Sequence, residues 1–498
     1  MTANVRQDLG ASLHAILTRL KSQPQLYPQI YLAYSTAEPV LDPIVLNLPA
    51  NGLRLRFDGP DQRLRLIEII DFSKSSFTYK SQDLVRRTGN SNEVVSDPVP
   101  GPSFKHLYNR LFGPSYPGEY IPPSSGESQG TYVLSWPGLA ARFAIKHKSW
   151  SEKADFVSLL SSSVASPATS LAIFSGSSWP EARESLYTKR PQLPRSLALA
   201  SKSAETVPDE IEEVVIHGNG RLELFRRASS SFMIGLNETT PQDLVAELGP
   251  PDAIFRKSGN GLSIHAGGAS SKPRRPSMSP GLDPHLGDHD QSSAKSYTDD
   301  SENEISNIEE AQDDESTSEA FYNYFHHGFD VLVSTPQSKR SPNADTSADF
   351  VVTKVFLHSN IPGSYSFNRH RRSRWRIALD DNGQSRELTS QMRFKEISDV
   401  LKEVWHSSYR DAEEEKRMQR GMVLNRGWGV GDSPESSIEL LGGFEEGPAS
   451  QDQGSIKAGT EASMPNMSNT ELFGFPGLLF EVLKNDTISC LTVYQHEI

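Results

Sequence analysis

The sequence predicts an α+β fold of repeated helix plus antiparallel β-hairpin modules that share sheets, with long disordered insertions. Three observations predict it. A short amphipathic helix followed by a glycine-led strand occurs four times, the strands opening at Gly52, Gly138, Gly328 and Gly477. Apolar and polar residues alternate after these glycines with the period of two that a half-buried strand requires. Two polar segments of biased composition, 258–319 and 410–470, fall at matching places in the third and fourth modules.

The first module takes its helix from Leu13 to Leu20 and its glycine-led strand from Gly52 to Phe57. Asp58-Gly59-Pro60-Asp61 makes the turn, and Arg63 to Ile70 returns. Ile30 to Tyr34 and Ile44 to Leu48 are further strands. In the second module the helix Phe104 to Phe112 stops at Gly113-Pro114, Gly138 to Phe143 is the strand, and Leu171 to Phe174 is its return. A hairpin alone is marginal in water, so each needs a covering helix and neighbouring strands.

The third helix is the most strongly signalled. Thr239 or Thr240 suits an N-cap, Pro241 the first helical position, and Gly249-Pro250 the stop. Leu244, Val245 and Leu248 form its apolar stripe. Phe329, Val331 and Val333 then alternate after Gly328, and the β-branched run Val351 to Leu357 closes an antiparallel hairpin across an enlarged loop. The fourth module pairs helix Phe394 to Leu401 with strands Gly477 to Val482 and Ile488 to Tyr494. Ahead of the third module, Gly218-Asn219-Gly220 between two apolar runs is the strongest short hairpin signal, and this hairpin is expected to extend the same sheet.

These elements divide the chain into an N-terminal pair of modules (1–175), a loop or linker (176–207) and a C-terminal pair (208–498). Segments 258–319 and 410–470 hold few large apolar side chains and are expected to stay disordered, because burial cannot offset the entropy of ordering them.

Composition narrows the function. A formal charge of −13 argues against general nucleic-acid binding, which needs a basic face. Hydrophobic residues make up 36% and the mean hydropathy is −0.50, low for a chain folded throughout. One cysteine, Cys490, rules out an internal disulfide framework, suits a reducing compartment and falls within a predicted strand, where a thiol is ordinarily core. The N-terminus lacks a signal-peptide layout and no apolar run is long enough to span a bilayer, so a soluble cytoplasmic protein with no transmembrane segment is expected.

The densest positive run is Arg369-His370-Arg371-Arg372-Ser373-Arg374-Trp375-Arg376. Arginine forks match phosphate geometry, so Arg369, Arg371, Arg372, Arg374 and Arg376 are the candidate contacts for an anion or phosphoinositide headgroup. The blander reading is a solvated strand with Trp375 and Ile377 turned inward, and a nuclear-import patch is a third. His326, His327, His358 and His370 invite a metal, but the sequence supplies no zinc spacing, and no metal is expected. Gly249-Pro250-Pro251-Asp252 is a helix stop, not a phosphate cradle. No nucleophile elbow, dinucleotide fingerprint or His-Glu-x-x-His motif occurs, so neither catalytic residues, nor a cofactor, nor a small-molecule substrate is expected.

Several stretches together carry a resemblance: Ile44 to Leu48, Gly52 to Asp58 and Gln62 to Leu64; Tyr322 to Phe325 and Gly328 to Leu332; Leu357 to Asn360, Pro362-Gly363 and Tyr365 to Asn368; and Phe480 to Val482. In order and across most of the ordered chain, they resemble the phagosome assembly factor 1 family. The insertions and the Lys80 to Pro102 loop depart from its shorter animal pattern and look like the expansions of a fungal member. The resemblance implies a non-enzymatic autophagy adaptor or scaffold, recruited to the phagophore assembly site in complex with a β-propeller partner. Phosphoinositide binding is attributed to that complex. The alternative it implies is a peripheral phosphoinositide-binding or Golgi and vesicle-trafficking module.

Overall fold

The computed structural model describes residues 9–85, 101–124, 127–188, 209–227, 229–257, 319–335, 350–381, 384–406, 409–425 and 469–495. Each module is a helix followed by a four-stranded antiparallel meander; in the first module all four strands were read from sequence, and in the other three the structure adds two strands to the hairpin. The first comprises α1 (Leu13–Lys21), β1 (Tyr31–Ala33), β2 (Ile44–Leu48), β3 (Leu53–Phe57) and β4 (Leu64–Ile69). A small ribbon, β5 (Thr78–Tyr79) with β6 (Gln82–Asp83), follows.

The second has α2 (Phe104–His106), continued by a wider turn over Leu107–Leu111, then β7 (Glu119–Ile121), β8 (Gln129–Trp136), β9 (Leu139–Lys146), α3 (Phe156–Ser161) and β10 (Ala165–Phe174). Next come α4 (Trp179–Glu184), β11 (Ile211–Gly218), β12 (Arg221–Arg226) and β13 (Phe232–Gly235). The third module is α5 (Pro241–Leu248), β14 (Ala253–Lys257), β15 (Glu319–Tyr324), β16 (Phe329–Ser334) and β17 (Val351–His358). After β18 (Trp375–Asp381) and β19 (Gln384–Thr389), the fourth runs α6 (Phe394–Trp405), α7 (Ala412–Met418), β20 (Met422–Asn425), β21 (Asn469–Phe475), β22 (Leu478–Val482) and β23 (Ile488–Tyr494).

The four glycines occupy one structural position. Each stands between the second and third strands of its meander with a positive φ: 68° at Gly52, 79° at Gly138, 90° at Gly328 and 75° at Gly477. Each carbonyl accepts the same hydrogen bond from the end of the fourth strand, from the amides of Ile70, Phe174, His358 and Tyr494 at 2.8–3.0 Å. Only glycine reaches this left-handed turn without a steric cost, so one residue type recurs for one geometric reason.

Modules fuse in pairs. β4 pairs with β10 to give an eight-stranded sheet, ordered β1-β2-β3-β4-β10-β9-β8-β7. β17 pairs with β23 to give a second, ordered β14-β15-β16-β17-β23-β22-β21-β20. Leu13, Ile16, Leu17 and Leu20 of α1 bury against Ile44, Leu46, Leu53 and Leu55 on one face of the first sheet. Spacing of three and four puts those helix residues on one stripe, and Ser12 caps the helix by accepting from the Ala15 amide at 3.2 Å. α5 starts at a Thr240–Asp243 capping box with Pro241 at its first turn and ends at Gly249, as its sequence signals require.

Three expectations need correction. The Gly218-Asn219-Gly220 hairpin does not extend an eight-stranded sheet. It belongs to a separate five-stranded one, ordered β13-β12-β11-β18-β19, in which β11 runs parallel to β18. Its inward side chains, Val214, Ile216, Leu222 and Leu224, share one core with α5, α6 and the second eight-stranded sheet, so stacking rather than edge extension buries them. Segment 176–207, read as a linker, contains α4, whose Trp179 and Ala182 cover Leu66, Val133, Ala140 and Phe174 on the other face of the first sheet. Segment 410–470 begins with ordered structure, since α7 and β20 form within it and β20 pairs with β21. Residues 426–468 of that segment, like 258–318, lie outside the described residues.

Candidate functional site

The predicted arginine run lies on a strap between β17 and β18 that crosses from the second eight-stranded sheet to the first. Its bends fall at Asn360 (φ 49°), Gly363 (φ 82°) and Asn368 (φ 60°), residue types that tolerate positive φ. The strap docks on the β3–β4 turn of the first module. Gln62 Nε2 donates to the Asn360 carbonyl at 2.8 Å and Asn360 Nδ2 donates to Gln62 Oε1 at 2.7 Å, both buried. Phe367 enters the first core, and Ile361 packs with Val40 and Leu483.

The five candidate arginines separate into different roles. Arg372 is buried and donates to three carbonyls, of Pro60 (2.7 Å), Ser359 (2.8 Å) and Ser390 (3.2 Å), which ties three segments together. Arg371, also buried, donates to the Ile211 and His326 carbonyls and lies 3.9 Å from Glu210. Burial brings both guanidinium groups down to about 10, a range in which they stay charged. Arg374 is half-buried and pairs with Asp61 at 2.9 Å and Glu213 at 3.7 Å. Arg376 pairs with Glu213 and Glu387. Arg369 is exposed. Trp375 and Ile377 turn inward, each under 4% exposed.

Further charges converge from elements far apart in sequence. Arg63 pairs with Glu210 at 2.9 Å, and Arg227 with Glu210 at 3.1 Å and Glu212 at 3.2 Å. Burial alone would raise Glu210, but Arg63 and Arg371 overcome it and hold the carboxyl down at about 2. Arg63, Arg65, Arg227, Arg371, Arg372 and Arg374 together line a cleft that also contains Asp61 and Glu212. The cleft is therefore an ionic weld among three sheets, with acidic groups already interleaved among the cations. Sequence reasoning missed Arg63, Arg227 and Glu210 because the pair that joins them, Arg63 with Glu210, spans 147 residues, beyond any local spacing signal.

The histidines, for which the sequence offers no zinc spacing, meet a carboxylate from a distant element at one point. His358 Nε2 and His370 Nε2 contact the two oxygens of Asp330, at 2.9 and 2.8 Å. Burial raises the Asp330 carboxyl, but the hydrogen bonds from both rings outweigh it and hold the group at about 2. His326 instead contacts Asp252 at 2.6 Å, and His327 is buried beside Tyr324 and Phe329. Cys490 is buried in β23, as its strand position requires.

Comparison with known proteins bears on the whole chain. The family model described as phagosome assembly factor 1 matches residues 5–279 and 290–494. A PHAF1 protein of Arabidopsis thaliana is 24% identical over 492 residues, covering 98% of this chain and 90% of its own length. One of Drosophila melanogaster is 23% identical over 498 residues with the same coverages, and one of Caenorhabditis elegans is 28% identical over 135 residues, covering 27% of this chain and 28% of its own. No solved structure matches. With the family model spanning both fused pairs of modules and the sheet between them, the chain belongs to the phagosome assembly factor 1 family.

Proposed function

We propose that this chain is a non-enzymatic adaptor in autophagy, acting at the phagophore assembly site in complex with a β-propeller partner that docks on the β14 edge of the second eight-stranded sheet. Family membership supports the autophagy-related assembly role. Strand β14 carries the docking reading. It ends the sheet order, and its adjacent Ile254 and Phe255 are 54% and 64% exposed. Neighbouring strand residues point to opposite faces, so this edge is apolar on both sides. An exposed apolar edge with no further strand paired to it among the described residues is a template for a strand of another chain.

The test is affinity purification of the full chain from its native cell with mass spectrometry, comparing wild type with an Ile254→Asp, Phe255→Asp double variant. A β-propeller protein recovered with wild type and depleted at least tenfold in the variant supports the assignment. Equal recovery contradicts it. A phosphoinositide or vesicle-trafficking role through the arginine run is less well supported, because Arg371 and Arg372 donate inward to carbonyls. Flotation with phosphoinositide vesicles, with and without Arg369→Ala, tests that reading. Among the described residues no helix is long and apolar enough to cross a membrane.

A further inference from the structure

We propose that Asp330, His358 and His370 form a binding site for a divalent transition metal, zinc fitting best. The fold brings the three together from separate elements. Asp330 of β16 stands opposite Phe356 of β17, so His358, two residues further along β17, projects from the same face. The strap then returns His370 over that face, where it is 3% exposed and its ring stacks on His358 at 3.8 Å and 17°. This stacking delivers both Nε2 atoms to one carboxylate, at 2.9 and 2.8 Å, and the candidate ligand atoms lie within 4.8 Å of one another.

Zinc bonds of about 2.0–2.1 Å in a tetrahedron set ligand atoms roughly 3.3 Å apart, so a few tenths of an ångström of opening admits the ion. Two imidazoles with one carboxylate are the donor set of zinc and its first-row neighbours; magnesium and calcium take oxygen. Cys490 is the cross-strand register partner of His358 in β23. The side chains of Asp330 and His358 are 14% and 17% exposed, which leaves a path for the ion. A bound ion would clip the strap to two strands of the second sheet. The same strap carries Asn360 and Arg372, so the metal would stiffen the junction between the two fused pairs. This reading is independent of the β14 docking assignment.

The experiment uses the full chain purified without a polyhistidine tag, stripped with chelator and titrated with zinc by calorimetry. Expected is saturable binding of one zinc per chain, with a rise in Tm. Asp330→Asn and His370→Gln, checked for folding by circular dichroism, should each weaken binding by at least about 100-fold. X-ray absorption on the zinc-loaded wild type adds a readout that needs no variant and should show two imidazoles per ion. Absence of saturable binding, equal affinity in folded variants, or a zinc shell without imidazole would overturn the proposal.

Discussion

At neutral pH the His327 imidazole is uncharged, because burial first and the nearby His326 and Arg371 next lower it from 6.5 to about 3. The unfolded chain takes up the proton near 6.5, whereas the folded chain resists until about 3. The contribution of the neutral ring is therefore complete above pH 6.5 and is lost as pH falls toward 3. Between pH 6.5 and pH 4 the loss should be on the order of 2–3 kcal/mol, and urea unfolding of wild type against His327→Phe should show the variant with the flatter pH dependence. A second residue-scale expectation concerns the turn geometry that recurs at the four glycines. A Cβ at Gly328 would sit 2.5 Å from the Arg371 carbonyl oxygen, whereas one at Gly138 meets nothing nearer than 3.5 Å. Gly138→Ala should cost about 1 kcal/mol for the left-handed turn alone, and Gly328→Ala at least about 2–3 kcal/mol because backbone must also shift, both read by chemical denaturation.

The elements explain what the sequence made legible. The bounds of helix α5 were visible, since its cap, its first-turn proline and its glycine stop are local chemistry, but of its expected stripe only Leu244 and Leu248 are buried and Val245 is 41% exposed. The third strand of every meander was visible because glycine is forced at its entry. The first strands of the later meanders were not: β7 has three residues and β20 four, too short for a period of two to register. The partnership of β11 with β18 was equally hidden, because a parallel pair some 160 residues apart leaves no turn signature. One consequence is testable at this scale. Lys257 and Glu319 are direct register partners, as are Asn425 and Asn469, so each intervening segment leaves and re-enters at adjacent points. Replacing 258–318 with a short Asn-Gly turn should leave Tm within about 3 °C of wild type by calorimetry, since closure entropy varies slowly with loop length. A larger fall would show that the deleted residues contribute contacts to the fold.

In the whole molecule, two fused pairs of modules meet through the strap. The candidate site was half legible: the arginines were found from their density, but which of them faced solvent was decided by partners that only folding brings near. Arg372→Ala removes the donor to three carbonyls from distant segments, with a predicted loss of about 3 kcal/mol or more. Because the weld spans both pairs, a scanning calorimetry trace of that variant should broaden or split where wild type gives one transition. The central functional claim concerns the sheet edge. Hydrogen–deuterium exchange on the purified complex with the recovered propeller partner tests it most directly. Slowed exchange at the amides of 253–257 on binding is the predicted result. Unchanged exchange there, with protection confined to the arginine cleft or the first eight-stranded sheet, would contradict it.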